Sequence, residues 1–357
     1  MKRLVLVGSG PLHRALVRHW ARLPPRMADV AWVVPASSAL VEEALMPVLA
    51  GELAAVQALV SLQDLADAAN VRLVIGRPAG LDPVARLLSL SDGRQAAFDG
   101  LSVDAAGEPQ GDKLPGSADW GISLSPTAAH LDLVDRVAKL AAQRPLDVVV
   151  AGAGERALEA ALALQVRLAA TGTRVAWACG AAGVLSDQPA GVQLLATAAL
   201  RRHRVAVLPD TVTALAAGSA QLASGARAAC DAAVLAQAPR APAWLRQEAT
   251  AAAEDAAPGP DVQGRWPPSG PVLCWQALGR SAAPLLAEQL ARMMGGGALL
   301  PMPPAQVASM LLYSGIGRGL WAGHGLVAEG RLPGLLLRWR LRRRLAEERA
   351  IPVVGRR

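Results

Sequence analysis

The chain has 357 residues, 52% of them hydrophobic and 18% charged, so it can bury a large core and a disordered protein is excluded. The net charge is +7, and residues 331–357, with nine arginines and two glutamates, also carry +7. The remainder is neutral overall, which excludes a nucleic-acid-binding protein with a spread basic face. No apolar run reaches the ~18 residues of a transmembrane helix and no signal-peptide pattern opens the chain, so we expect a cytoplasmic protein.

A strand–helix–strand unit begins the chain. The apolar run KRLVLVG predicts a buried strand, PLHRALVRHWARL has the three- and four-residue apolar spacing of a helix, and DVAWVVP predicts a second strand. The turn before the helix contains Gly8 and Gly10, followed by Pro11 and His13. A Gly-x-Gly turn lets the backbone approach a pyrophosphate, which then lies on the free N–H groups of the helix start. Its usual third glycine is replaced here by His13.

The next segments complete a first half of the chain. LVSLQDLADAANVRLVIG predicts a helix and then a strand. RLLSLSDG and AAFDGLSVD predict a hairpin with its turn at Asp92–Gly93. LPGSADWGISLSPT is rich in Gly, Pro and Ser and is typical of a connector between domains.

A second strand–helix–strand unit begins at Leu146 and repeats the opening pattern. LDVVVAGAGERALEAALALQVRLAATGTRVAWACG contains an apolar strand, a turn with Gly152 and Gly154, a long helix and a second strand. The two turns lie 144 positions apart. One such turn is a weak signal, but two within strand–helix–strand units predict a dinucleotide site in each of two nested domains.

The rest of the chain adds strands and two helices. RVAVLP, the hairpin and strand of AQLASGARAACDAAVLAQAP, and GPVLCWQA are predicted strands, and SAAPLLAEQLARMMGG is a predicted helix. After LLYSGIGRGLWAGHGLVAEG comes a basic helix with one stripe of Leu337, Leu341 and Leu345 and another of Leu335 and Trp339. The three cysteines have no redox or metal-ligand spacing, so we expect buried thiols and no metal site.

Several motifs together resemble the pyridine nucleotide-disulfide oxidoreductase superfamily of two-dinucleotide flavoproteins. GSGPLH is similar to a GGGHAH-like turn with His13 in place, and ALMPVLAGE, which contains Pro47, is similar to GMxPGxxxG. FDGLSVDAAGEPQGDKLPG resembles YDxLxxDxGSxPxxxxIPG, and AGAGERALEAALAL resembles GGGAAGVELAxAL. Within the superfamily the chain resembles the type II NADH dehydrogenases and the flavoprotein domain attached to selenophosphate synthases, over roughly Met1–Arg344.

This resemblance implies an α/β fold with two Rossmann-like (FAD/NAD(P)-binding, three-layer) domains, the second inserted in the first, plus a small C-terminal subdomain. The FAD-type domain would comprise residues 1–114 and 270–304, the NAD(P)H-type domain 115–269, and the subdomain with the basic helix 305–357. The implied cofactor-binding residues are Gly8, Gly10, Pro11, His13, Pro47, Gly152, Gly154, Glu155 and Glu159. No catalytic residue is identified.

The function implied by the resemblance is FAD-dependent NAD(P)H oxidation. Hydride would pass from the nicotinamide to the flavin, and electrons would go on to a quinone-like or other acceptor. In the resembling dehydrogenases the C-terminal helices dock on the membrane. The arginine-rich helix with its Trp is therefore expected to meet an anionic membrane surface, on the inner face, or a protein partner.

Departures from the family pattern favour an alternative. Where the family has an aspartate for the flavin ribitol, GPVLCWQALGRSAAP offers Gln276 and Ala277, and AQA (residues 236–238) replaces an A-T-G element. After the second strand no acid is present for the FAD ribose. Losing such contacts weakens FAD binding, so the alternative is a catalytically degenerate protein of this fold that acts as a scaffold, regulator or nucleotide sensor.

Two polar residues near the first turn have open roles. His13 could hydrogen-bond a flavin phosphate or the adjacent backbone, or cap the helix. Asp104, at the end of FDGLSVD, is expected to fix a loop.

Overall fold

A computed structural model describes residues 2–25, 28–104, 114–124, 128–236, 243–246, 265, 272–274, 280–301 and 309–351. The strands are β1 Lys2–Val7, β2 Ala28–Val34, β3 Ser38–Leu40, β4 Leu59–Ser61, β5 Arg72–Ile75, β6 Pro78–Asp82, β7 Leu87–Leu90, β8 Gln95–Ala97, β9 Gly100–Val103, β10 Gly121–Ser123, β11 Asp147–Ala151, β12 Arg174–Ala178, β13 Ala206–Leu208, β14 Val212–Ala216, β15 Ser219–Leu222, β16 Arg227–Ala229, β17 Ala232–Leu235, β18 Val272–Cys274, β19 Met310–Gly315, β20 Arg318–Gly323 and β21 Leu326–Gly330. The helices are α1 Pro11–Trp20, α2 Leu45–Leu49, α3 Ala55–Ala58, α4 Leu62–Ala68, α5 Ser117–Trp120, α6 Ala128–Ala141, α7 Glu155–Leu168, α8 Ala190–Arg202, α9 Ala243–Arg246, α10 Ala283–Gly295 and α11 Arg331–Arg349. Short 3-10 turns lie at Glu42–Ala44, Ala169–Thr171 and Arg280–Ala282.

The first sheet is parallel throughout, in the order β18-β9-β1-β2-β5. The last four residues of β1 are buried on both faces, as the continuous apolar run predicted. Leu12, Leu16 and Trp20 of α1 are buried at the predicted helical spacing. At the carboxyl end of the sheet Val7 stands beside Val33 and Val103, so the turn after β1 and the residue after β9 meet there.

The second sheet repeats this arrangement in the order β10-β17-β11-β12-β13, again with every pair parallel. In the two sheets β9 corresponds to β17, β1 to β11 and β2 to β12. After the second sheet is complete, β18 pairs with β9 and returns the chain to the first sheet. The predicted α/β fold, with one Rossmann-like unit inserted in the other, is confirmed.

One local prediction was right in its turn but wrong in its extent, and a second was wrong. β7 and β8 form the predicted hairpin with its turn at Asp92–Gly93. AAFDGLSVD is not one strand, however, because β9 lies beside β1 in the parallel sheet. Asp99 separates the two strands because its carboxylate accepts the N–H of Arg3 at 2.7 Å, which fixes the chain at the start of β1. The predicted connector LPGSADWGISLSPT contains α5 and β10, and β10 is a member of the second sheet.

The C-terminal part is an antiparallel sheet, β19-β20-β21, covered by α11. Gly334 of α11 lies so close to the carbonyl of Gly317 that a side chain would not fit there. The leucine stripe of residues 337, 341 and 345 is half-buried toward the protein, whereas Leu335 and Trp339 are 53% and 55% exposed. The two predicted stripes are therefore confirmed. None of the described helices is long and apolar enough to cross a membrane.

A buried carboxylate anchors α11 to the first domain. Glu348 is 1% exposed and pairs with Arg280 at 2.7 Å, Arg18 at 3.2 Å and Arg14 at 3.3 Å. Arg14 and Arg18 belong to α1, and Arg280 precedes α10. Three positive groups on one carboxylate thus join three distant parts of the chain.

Candidate functional site

A tryptophan and a histidine hold the first glycine turn through side-chain hydrogen bonds. Trp32 Nε1 donates to the carbonyl of Gly8 at 2.8 Å, and Gly8 has φ +101°, a conformation that favours glycine. His13 is fully buried, with Nδ1 3.2 Å from the carbonyl of Gly8 and Nε2 2.8 Å from Ser102 Oγ. Burial lowers the pKa of His13 below its ordinary value. Of the roles left open for His13, the structure shows the bond to the adjacent backbone.

Asp104 lies over the same turn. Its carboxylate accepts the N–H of His13 at 2.8 Å, and its carbonyl accepts the N–H of Gly10 at 3.2 Å. Gly10 has an ordinary φ of −61°, but a Cβ there would overlap the Asp104 carboxylate. Pro11 is the first residue of α1. The space in front of the first turn is therefore filled by a carboxylate of the chain itself, a placement that the sequence had indicated only as a loop contact.

The second glycine turn has the same support but is open. Trp177 Nε1 donates to the carbonyl of Gly152 at 2.8 Å, matching the bond of the first turn. Gly154 has φ +87°, and no heavy atom lies within 4 Å of the position a Cβ would take. The N-cap residue Gly154 has no side chain to cap α7, and the N–H of Leu158 donates to the carbonyl of Gly154 at 3.2 Å. The first amides of a helix have no acceptor within the helix, an arrangement that fits a diphosphate.

A cavity of about 410 Å³ lies beside the second turn, where the segment after β3, the start of α7 and the C-terminal sheet with α11 meet. Its lining comprises Glu42, Glu43, Leu45, Met46, Pro47, Glu52, Glu155, Arg156, Glu159, Leu311, Tyr313, Gly315, Gly317, Arg318, Gly334, Leu337, Arg338, Arg340 and Leu341. The predicted site residues Pro47, Glu155 and Glu159 are thus brought together. The other predicted site residues are not part of this lining: Gly8, Gly10, Pro11 and His13 of the first turn, and Gly152 and Gly154 of the second, which precede Glu155.

Glu159 is a half-buried carboxylate in the cavity wall. Its Oε1 accepts the N–H of Tyr313 at 2.6 Å, and partial removal from water raises its pKa to about 7. The hydroxyl of Tyr313 donates to Glu52 Oε1 at 2.5 Å. Sequence reasoning did not find Tyr313 or Glu52, although Tyr313 is the chain's only tyrosine and Glu52 ends the ALMPVLAGE motif.

A flavin dinucleotide fits only one end of this arrangement. Its ring could enter the cavity, but its diphosphate would meet the Asp104 carboxylate at the first turn, where two anions would compete for the same amides. After β2 the described chain offers Pro35, Ser37 and Ser38 and no acid for a ribose. Gln237, Ala238, Gln276 and Ala277 lie outside the described residues. The first turn can therefore accept the diphosphate of FAD only if the Asp104 carboxylate moves away from the His13 N–H and from Gly10.

The described residues show no metal site and no reactive thiol pair. Within the described ranges no cluster of three or more His, Cys, Asp and Glu side chains could hold a metal ion. Cys179 and Cys230 are buried free thiols, and burial raises the pKa of Cys230 to about 11. The side chain of Cys274 lies outside the described residues.

Several solved structures have a similar fold, and three of them are oxidoreductases or dehydrogenases by name. The sulfide:quinone oxidoreductase of Aquifex aeolicus is 14% identical, with a TM-score of 0.74 over 100% of this chain and 93% of that one. NDH2 of Plasmodium falciparum, solved with NADH, is 9% identical, with a TM-score of 0.74 over 99% and 100%. A NAD-dependent persulfide reductase of A. fulgidus is 16% identical, with a TM-score of 0.69 over 90% and 64%.

The chain therefore shares the fold of these proteins, as the resemblance of its motifs predicted. No protein-family model matches the chain, and no curated protein matches it in sequence.

Proposed function

We propose that the protein is an NAD(P)H-dependent oxidoreductase that passes electrons through a flavin to a quinone-like or other acceptor. The observation that carries the proposal is the open second turn beside a cavity containing Glu159. A nucleotide diphosphate on the amides of α7 would direct the nicotinamide toward this cavity. The proposed domains are residues 1–114 with 270–304 for the flavin, 115–269 for the nucleotide and 305–357 for the C-terminal subdomain.

In this proposal the chain's own residues bind and position the nicotinamide. Gly152 and Gly154 allow the diphosphate to approach, and Glu155, Glu159 and Pro47 contribute to the cavity wall. A nicotinamide becomes positively charged as it loses hydride, so an ionised Glu159 beside it would stabilise that charge. The two-electron chemistry itself would come from a flavin, and no step of it is assigned to residues of this chain.

The change Glu159→Gln is expected to remove the pH dependence of the rate of NADH oxidation near pH 7. Because the pKa of Glu159 is raised to about 7, its carboxylate forms as the pH rises through 7, and NADH oxidation by the wild-type protein should increase over that range. The variant should stay near the low-pH rate, roughly 10-fold to 100-fold below the wild-type plateau. A steady-state rate profile between pH 5 and 9 measures this. Glu288→Gln on α10 is the control, and an unchanged profile in Glu159→Gln would contradict the role.

Steady-state assays test the proposed activity itself. The purified protein, supplied with FAD, should oxidise NADH or NADPH in the presence of a quinone or a dye acceptor. If no acceptor supports turnover while the nucleotides still bind, the proposed oxidoreductase activity is wrong.

That outcome would favour the second candidate, a nucleotide-binding sensor or scaffold without catalysis. One observation supports it: Asp104 fills the first turn, whereas the second turn remains open. A sensor needs only the nucleotide site of the inserted domain. NADH binding without turnover, accompanied by a change in association with a partner, distinguishes this function.

The exposed face of α11 supports a proposal about location. Leu332, Leu335 and Trp339 lie on one side of the helix and are exposed, and the guanidinium of Arg343 lies 5.6 Å from the ring centre of Trp339. Apolar and arginine side chains on one face suit the interface of an anionic membrane. We propose that the protein works in the cytoplasm, with α11 resting on the inner face of the membrane.

Vesicle sedimentation tests this surface. The double change Leu335→Ser and Trp339→Ser should lower binding to phosphatidylglycerol vesicles roughly tenfold, because two exposed apolar side chains no longer enter the interface. Leu194→Ser removes a still more exposed leucine, 70% exposed, from α8 and should have no effect. Binding to neutral phosphatidylcholine vesicles that equals binding to anionic ones would contradict the proposal.

A further inference from the structure

The two glycine turns differ at one equivalent position. Asp104 follows β9 and donates its N–H to the carbonyl of Val7 at 2.9 Å, whereas Ala236 follows β17 and donates to the carbonyl of Ala151 at 2.8 Å. The backbones therefore correspond, but the side chains do not. In the first domain a carboxylate reaches the helix start, and in the second a methyl group leaves it free.

The Asp104 carboxylate occupies the place that suits a phosphate. It accepts the N–H of His13, the third residue of α1, at 2.8 Å and is only 9% exposed. An anion at a helix start is stabilised by the free amides and the helix dipole. A diphosphate that approached Gly10 would need the same amides and the same space, so the two anions exclude one another.

The surrounding contacts hold this carboxylate in place. His13 bridges the carbonyl of Gly8 and the hydroxyl of Ser102, which is two residues before Asp104 on β9. The imidazole thus ties the turn after β1 to the strand that carries Asp104. Since His13 is fully buried, this link is part of the core.

We propose that Asp104 is a built-in anion that closes the first dinucleotide turn, so that any dinucleotide must displace it to bind there. In the protein without ligands, the second glycine turn is then the one that is available to a nucleotide. One consequence rests on the proposed function: if the protein uses FAD, the flavin binds weakly and exchanges with solution.

Affinity measurements test the closed turn without any need for activity. FAD and ADP are titrated calorimetrically into protein that carries Gly154→Val, so that the second turn does not contribute. Asp104→Ala removes the carboxylate and should raise the affinity for both ligands at least tenfold. Asp104→Asn keeps the acceptor for His13 N–H and removes the charge, so it should raise the affinity by a smaller factor. Unchanged or weaker binding in the folded variants would overturn the proposal.

The reciprocal change places the same carboxylate in the second domain. Ala236→Asp, made without other changes, should lower the affinity for NADH at least tenfold, and an unchanged affinity would speak against the proposal. Failure of the two proposals is distinguishable. If the affinities change as expected but NADH is not oxidised, the proposal for Asp104 holds and the oxidoreductase function is wrong. If NADH is oxidised but Asp104→Ala leaves the FAD affinity unchanged, the oxidoreductase function holds and the proposal for Asp104 is wrong.

Discussion

Gly154→Val is expected to lower the affinity for NAD(P)H roughly 100-fold or more below the wild-type value. Gly154 precedes α7 and has φ +87°, a region that valine enters only with strain, and no heavy atom lies within 4 Å of the position its Cβ would take. A branched side chain there would separate a diphosphate from the helix amides, and each lost charged hydrogen bond costs about 1.5–3 kcal/mol.

A matched control separates this loss of binding from backbone strain. Gly225 also has φ +87° with no heavy atom within 4 Å, and it lies in the turn between β15 and β16. Gly225→Val should therefore destabilise the protein to a similar extent and leave NADH affinity unchanged. Calorimetric titration of both variants makes the comparison. Equal affinities in the two variants would show that the second turn does not hold the nucleotide.

Glu348→Ala is expected to lower the free energy of unfolding by about 3–5 kcal/mol. Its carboxylate is the shared partner of Arg14, Arg18 and Arg280, and Arg14 is almost fully buried. Removing one side of a buried ion cluster leaves uncompensated charge, which costs more than the pair itself contributes. Because the cluster fixes the end of α11, proteolysis of that helix should accelerate as well.

The neighbouring residue provides the control for Glu348. Glu347 pairs with Arg343 and Arg344 at the surface, where an ion pair contributes about 0–1 kcal/mol. Glu347→Ala should therefore be nearly neutral in urea denaturation. Equal stability of the two variants would contradict the structural role of the buried cluster.

Much of the fold could be predicted because its signals are local. Each of these signals depends on residues close in sequence: the glycine turns, the continuous apolar strands and the two apolar stripes of α11. The repeated strand–helix–strand unit in turn indicates the two nested domains. The errors arose where pairing is not local. AAFDGLSVD alternates well enough to suggest one hairpin strand, yet the bond from Arg3 to Asp99 divides it between two sheets.

The same limit applied to the candidate site. Asp104 was expected to fix a loop, as the family resemblance implies, and only the pairing of β9 with β1 brings its carboxylate to the turn that contains Gly10. Tyr313 meets Glu159 and Glu52 across 154 and 261 positions, distances over which a single sequence gives no contact signal. The resemblance correctly predicted the class of fold, whereas the contact of Asp104 with the first turn joins residues 91 positions apart and has no signal in the sequence.

The reductive half-reaction tests the oxidoreductase function most directly, because it needs no knowledge of the final acceptor. FAD is mixed anaerobically with the protein and then with NADH or NADPH, and the visible flavin absorbance is followed over time. We predict bleaching that is fast relative to a protein-free control, is lost in Gly154→Val, is kept in Gly225→Val and saturates at lower FAD concentration in Asp104→Ala. Bleaching that never exceeds the protein-free rate, at saturating FAD and with both nucleotides, would contradict the account.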